Sequence, residues 1–472
     1  MRKILLVFVL CFTTSLWAQD YFPTNSGVKA TAEGPIAFTK ATIHINASQV
    51  LENATLLIQD GKVVAVGTSV KIPKNAIQYN LNGKHIYPSF IDLYSDFGMK
   101  AVERAKSGER YESNRKGYYW NDHIRPEQQA IDNFTFDEKK AKELREAGFG
   151  MVNTHLQDGV IRGTSSLVAL VEDANNPNKT VVKNNTAQYL GFSKSKQTRQ
   201  SYPSSIMGMT ALLRQTYADA SWYEKGNMSE KDLALEALLA QQNLPQIIHA
   251  GDYLNLLRAD KVGDQVNIQY SIVGGGDEYK RIAEIKATNA KLILPVNFPD
   301  AYDVEDPFLA NYVSLEEMKH WQHAPRNLQY LAEAGIDFAI TADQLKSPKE
   351  LHEKLQLAIE KGLDKSIALK ALTEIPAQIL GMENQIGSLK TGSLANFIIT
   401  SGEVFDKKSK IYENWIQGQR SIIKEADLPK IEGTYDLSFT SESSAEKIEI
   451  QIKEKAGKYS LEAKKRQFEV SD

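Results

Sequence analysis

Apolar and polar positions change rhythm along the chain. Residues 34–79 carry short β-like runs: Ala41-Thr42-Ile43-His44-Ile45, Ala54-Thr55-Leu56-Leu57-Ile58 and Lys62-Val63-Val64-Ala65-Val66-Gly67. Asp60-Gly61 between the last two is a hairpin signal, because a tight turn needs residues that tolerate positive φ. A hairpin this short needs a partner sheet. From Pro88 to Leu380, charged helix-period stretches alternate with short apolar runs. Phe136 to Ala147 precedes Gly150-Met151-Val152-Asn153, and Leu233 to Gln242 precedes Gln246-Ile247-Ile248-His249. Tyr279 to Thr288 precedes Lys291-Leu292-Ile293-Leu294-Pro295, and Leu328 to Ala334 precedes Ile336 to Thr341. Repeated helix-then-buried-strand units predict a parallel sheet. This many in about three hundred residues favour a (β/α)₈ barrel. A doubly wound sheet is disfavoured, since no Gly-rich phosphate fingerprint follows an early strand. Past Lys430 three strand-like runs, Gly433 to Phe439, Lys447 to Ile452 and Lys458 to Leu461, predict a β meander.

Composition narrows the class. The chain has 472 residues, 42% hydrophobic and 24% charged, with a formal net charge of -3. That length calls for more than one structural unit. The charge, with no basic block, argues against a nucleic-acid binder. Arg2 and Lys3, the apolar run Ile4 to Phe12 and a cut after Ala18 read as a signal peptide over residues 1–18, too short for a stable membrane span. Cys11, the only cysteine, falls inside it, and Leu10 before it is not the small residue a lipoprotein signal needs. The mature chain is then free of disulfides and thiolate ligands. A bacterial periplasmic or secreted location is expected.

The stretch Gly83 to Asp96 reads GKHIYPSFIDLYSD. It resembles the segment opening the barrel of the amidohydrolase superfamily, roughly G-K-x-(I/V)-x-P-G-F-I-D-x-H-x-H. Gly83, Lys84, Ile86, Pro88, Phe90, Ile91 and Asp92 fit that frame, while Tyr94 and Asp96 stand where the two histidines would be. Gly387 to Ile399, GSLKTGSLANFII, resembles the family segment G-x-(I/L)-x-x-G-x-x-A-D-(L/F)-V, with Asn396 in place of the aspartate. Ala368 to Leu380, with Thr373, Pro376 and Ala377, fits the final barrel helix. Asp158 to Ser165 resembles a loop of the imidazolonepropionase-like branch. The resemblance spans residues 34–425 and implies an α/β fold: a (β/α)₈ TIM-like barrel over 88–382, and a composite β-sandwich from both flanks, 19–87 and 383–428. Residues 429–472 read as a β-rich appendage or the start of an inter-domain insert. The chain resembles the degenerate N-terminal copy of a tandem bacterial amidohydrolase.

That resemblance implies one or two divalent metals at the barrel mouth, lowering the pKa of a bound water. Ligands are histidines and carboxylates at strand ends. Here the set is reduced. His249 resembles the fifth-strand histidine; it is read either as a metal or substrate contact or as a core histidine. Asp343 resembles the eighth-strand aspartate, both ligand and catalytic base, and a carboxylate there is costly unless paired or at a mouth. Asp96 could bind a hard cation. The expected metal set is therefore His249, Asp343 and Asp96, holding one zinc or manganese ion or none. Asp92 is expected to support, and Tyr94, neutral near pH 7, is a poor substitute for a zinc-binding histidine. Gly274 holds the sixth-strand ligand place in a segment resembling (I/V)-x-H-G-x-E-A-Y. Gly275 lets backbone approach a substrate or simply makes the turn. Arg162 is expected to contact substrate. His155 is a substitute ligand or an exposed loop residue.

His320 and His323 are spaced i, i+3, but no glutamate completes an H-E-x-x-H signature, so a surface or lid role is expected. Glu103 to Arg115 reads as a solvated loop, and Trp120 to Arg125 as a segment able to cover a site. Two functions follow: a metal-dependent hydrolase of non-peptide carbon–nitrogen bonds, or a silent amidohydrolase-like module that binds a ligand or supports a neighbouring copy. A small-molecule substrate is expected in the first case, and a second amidohydrolase domain or a homo-oligomer as partner in the second.

Overall fold

Strands from both flanks of the chain lie side by side in one sheet. In the computed structural model, residues 34–106, 115–172, 180–226, 230–425, 433–441, 444–455 and 458–463 are described. The expected signal peptide and Cys11 lie outside them, as does part of the Glu103–Arg115 run. β1 (Ile36–His44), β2 (Val50–Gln59), β3 (Lys62–Gly67), β4 (Ile77–Asn80) and β5 (His85–Pro88) come from the N-terminal flank. The Asp60-Gly61 turn has φ of 50° and 72°, as a tight hairpin requires. β5 then pairs antiparallel with β14 (Phe397–Thr400), and β15 (Ile411–Ile416) and β16 (Gln419–Ile422) complete the sheet. Phe38, Phe397 and Trp415 pack edge and face at 4.9–5.7 Å to form its core.

The second sheet has eight strands in sequence order: β6 (Phe90–Ser95), β7 (Phe149–Thr154), β8 (Ile161–Ala169), β9 (Val181–Gly191), β10 (Gln246–His249), β11 (Ser271–Val273), β12 (Leu292–Pro295) and β13 (Phe338–Thr341). Four of the eight, β7, β8, β12 and β13, are buried along their whole length, and β12 and β13 accordingly read as near-continuous apolar runs. Helices Leu233–Ala240, Tyr253–Val266, Ile282–Ala287 and Asn327–Glu333 lie between the later strands. The last barrel helix is broken at Thr373 into Lys365–Leu372 and Glu374–Ile379.

One strand departs from the (β/α)₈ expectation. β8 pairs antiparallel with both β7 and β9, whereas every other neighbouring pair in the sheet is parallel. Its N-terminal end therefore lies beside the C-terminal ends of the parallel strands. The register fixes this: Ile161 faces Leu190, and His249 faces Gly191.

The seam between β6 and β13 is bridged by side chains. Asp92, 2% exposed, accepts from the backbone N–H of Tyr94 at 3.0 Å and of Ala342 at 3.1 Å. Thr341 Oγ1 donates to the Tyr94 carbonyl at 3.2 Å. The two sheets are joined by Asn414, whose amide donates to the carbonyls of Arg145 and Phe149 and accepts from Ser89 Oγ. β17 (Gly433–Ser441), β18 (Ser444–Lys455) and β19 (Lys458–Ala463) form the antiparallel meander. Among the described residues no helix is long and apolar enough to cross a membrane.

Candidate active-site mouth

Strand ends bring the candidate residues to one mouth, but not in the arrangement that the motif frame implies. A register irregularity falls between Asp92 and Ser95, and Asp92, Tyr94 and Asp96 all still line one cavity. Asp92 turns to the seam, Tyr94 is 3% exposed inside the barrel, and Asp96 lies past the strand in solvent. Asp343 follows β13 and shares with Asp92, Tyr94 and Asp96 a cavity of about 330 Å³ that Lys140 and Lys346 also line. Burial, then the charge of Asp96, raises the Asp343 carboxyl above its usual range. Asp92 is raised to about 7, chiefly by burial.

Arg162 enters because β8 is reversed. It is 3% exposed, and its Nη1 donates to the Tyr94 hydroxyl at 3.0 Å. Nε donates to the Gly159 carbonyl at 3.2 Å and Nη2 to Ser193 Oγ at 3.1 Å. Gly191 makes room: a Cβ there would lie 2.2 Å from Nη2 and 2.7 Å from Cζ. Tyr94 stacks on His249 with ring centroids 5.2 Å apart, and lies 4.8 Å from His155. His155 stacks on Tyr189 at 3.6 Å. Tyr189 in turn donates to the Leu93 carbonyl and accepts from Asn153.

Both histidines are held neutral. Burial, then Arg162, lowers His249 to about 4. Burial, Arg162 and His249 together lower His155 well below the usual histidine range. Tyr94 is raised, chiefly by burial, and keeps its proton. His155 corrects the expectation of an exposed loop histidine: it is 1% exposed, because the turn after β7 folds it under Tyr189 and Tyr94.

The donor set does not fit a divalent metal. Among the described residues no three His, Cys, Asp or Glu side chains come together as a group that could hold one. Asp343 and Asp96 line one cavity, but His249 is not among its lining residues, and the three form no ligand group. The sixth-strand place is closed to any side chain. A Cβ at Gly274 would lie 2.0 Å from Glu278 Oε1 and 2.8 Å from Leu294 Cδ2. Glu278, fully buried, accepts from the backbone N–H of Gly275 at 2.9 Å and of Gly276 at 3.3 Å, and from Asn327 Nδ2 at 2.6 Å. Gly275 is glycine for a steric reason, as a Cβ there would meet the Gly251 carbonyl at 1.7 Å.

Other candidates settle as structure. His320 and His323 bond the hydroxyls of Tyr279 and Tyr330 at 3.2 and 3.1 Å. In the segment after exposed Trp120, His123 accepts from the backbone N–H of Ser195 at 2.9 Å and donates to the Gln200 carbonyl at 3.2 Å. Reading residue by residue missed Glu278, which carries the Gly274–Gly276 turn. It also missed the contact of Arg162 with Tyr94. The available signal was an arginine inside an otherwise apolar and small-residue run, Val160-Ile161-Arg162-Gly163.

Fold and mouth together define a barrel whose candidate site lies at strand ends. The amidohydrolase family model matches residues 235–424. A solved amidohydrolase from Thermotoga maritima MSB8 is 22% identical with a TM-score of 0.64, covering 82% of this chain and 99% of that one. A second solved amidohydrolase is 13% identical with a TM-score of 0.50, covering 83% and 100%. At such identities the structures show the fold alone. No curated protein sequence matches. The family match covers the second half of the barrel and the strands that follow it, and the barrel is similar in fold to those solved amidohydrolases.

Proposed function

We propose that this barrel binds a small molecule of the kind amidohydrolase-type hydrolases act on, a non-peptide carbon–nitrogen compound, and does so without a divalent metal of its own. The observation that carries this reading is the Arg162 guanidinium bonded to Tyr94, the residue at the first-strand ligand place. A fixed cation there opposes a second, divalent one through the low-dielectric interior. The neutral histidines, the closed Gly274 position and the exposed Asp96 agree with it. In this reading the barrel is the ligand-holding copy beside an active one, and residues 1–18, read as an export signal, would send it to a periplasmic or secreted setting.

A second reading, turnover by this barrel itself, is favoured by Asp343. It sits at the eighth-strand end with its carboxyl raised by burial, as a general base working near neutral pH requires. The test is elemental mass spectrometry of the purified chain after incubation with zinc and manganese, together with hydrolysis assays on N-acyl amino acids. The proposal expects no stoichiometric metal and no turnover. Stoichiometric metal lost in both His249→Ala and Asp343→Ala would overturn it. Turnover abolished by Asp343→Asn would establish the second reading.

A further inference from the structure

The guanidinium of Arg162 is buried without a counterion among the described residues. Its three acceptors are the Tyr94 hydroxyl, the Gly159 carbonyl and the Ser193 hydroxyl, all neutral. Among the described residues no carboxylate oxygen lies within 4 Å of it; Asp343 feels its charge only through space. A buried, unpaired cation is costly, and interiors rarely keep one without a partner. An arginine side chain carries five N–H donors. Three hydrogen bonds leave one N–H on each terminal nitrogen without a partner among the described residues.

A second, independent observation lies beside it. His155 is 1% exposed, and neither Nδ1 nor Nε2 has a hydrogen-bond partner among the described residues. Its imidazole rests on Tyr189 and against Tyr94. A buried ring with both nitrogens orphaned is uncommon unless something polar completes it. Tyr94 accepts from Arg162, so its own hydroxyl proton remains available to donate. His249 stacks on the other contact of Tyr94 and is only half-buried, which opens this group toward the mouth.

Arg162 is hydrogen-bonded to Tyr94, and the His155 and His249 rings pack against the Tyr94 ring at 4.8 and 5.2 Å, so the four form one contiguous group. None of the four carries negative charge. A metal cation would meet a guanidinium there, whereas an oxyanion would satisfy the free N–H groups, the phenol proton and one imidazole N–H together. Gly191 is the structural provision for this arrangement, since any Cβ there would push the guanidinium away.

We propose that the mouth is a carboxylate receptor, in which Arg162 takes the electrostatic place of the metal and its ligand is a small amide bearing a free carboxylate. The choice of an amide rests on the function proposed above; the carboxylate rests on the donors alone. Arg162 and Tyr94 grip the two oxygens, and His155 closes the buried side.

Isothermal titration of the mature chain, in EDTA, with N-acetylglycine, its neutral isostere N-acetylglycinamide and inorganic phosphate tests this. N-acetylglycine should bind at least about tenfold tighter than the amide, the size expected for a charge-assisted pair. Arg162→Gln should abolish binding, Arg162→Lys should weaken it on the order of tenfold, and Tyr94→Phe should weaken it several-fold. Tyr94→Phe and Arg162→Lys keep bulk and charge respectively, so they guard against loss of binding through unfolding, checked by circular dichroism. Equal binding of the acid and the amide, unchanged binding in Arg162→Lys and Tyr94→Phe, or binding of phosphate alone would overturn the proposal. Because EDTA removes metal and no turnover is measured, the function proposed above can fail in its own assays while this one stands.

Discussion

Removing the Asp92 carboxylate should destabilise the barrel by an amount that shrinks as pH rises. Asp92 ties β6 to β13 by accepting from the N–H groups of Tyr94 and Ala342. Asp92→Ala leaves both donors buried and unpaired, at about 1–3 kcal/mol each. Burial works the other way on the charge. It lifts the folded pKa from 3.8 to about 7. The folded state then holds a proton that the unfolded state releases, so this contribution is fully present below pH 4 and is lost as pH rises through 7. Between pH 5 and pH 8 the loss is on the order of 3 kcal/mol. Asp92→Ala should therefore cost a few kcal/mol at pH 5 and much less at pH 8. Urea unfolding of both proteins at pH 5, 6.5 and 8, followed by tryptophan fluorescence, measures the difference. A cost that stays level or grows with pH would show that the carboxylate is ionised in the folded barrel at pH 5, and that its two N–H bonds outweigh burial.

Other outcomes follow from the same geometry. In carbon-detected NMR titrations His249 should remain neutral until about pH 4, and in Arg162→Met its pKa should rise only partway toward 6.5, since burial is the larger cause. Gly274→Ala should lower stability by about 1–3 kcal/mol in thermal melts, because its methyl meets Glu278. Gly274→His should leave zinc content unchanged, because Glu278 occupies that space. Gly191→Ala should displace the guanidinium and weaken N-acetylglycine binding on the order of tenfold, with the far-ultraviolet dichroism unaltered.

Much of the frame could be read along the chain. The Asp60-Gly61 hairpin, the apolar runs that became β7, β10, β12 and β13, and the helices between the later strands all rest on local rules of turn chemistry and periodicity. The family frame around Gly83–Asp96 and Gly387–Ile399 extended those rules to a barrel and a flanking sheet. β8 was not legible, because a strand buried on both faces looks the same in either direction. Its reversal depends on register with β7 and β9, which are long-range partners. The register irregularity after Asp92 was hidden likewise, since strict alternation assumes a regular strand.

The sequence by itself determined which side chains were available to the site: a single cysteine, at position 11, and Tyr94, Asp96 and Gly274 where the resembled motifs carry histidines. What those side chains do was decided only by the tertiary structure. Reversing β8 carried Arg162 to the mouth, Asp96 came to line a cavity with Asp343, and Glu278 filled the space over Gly274. Side-chain identity is a local property, but the electrostatics of a mouth depend on which strand ends meet and in which direction they run. A single buried guanidinium from a reversed strand sets the sign of the potential around it, against cations and in favour of anions.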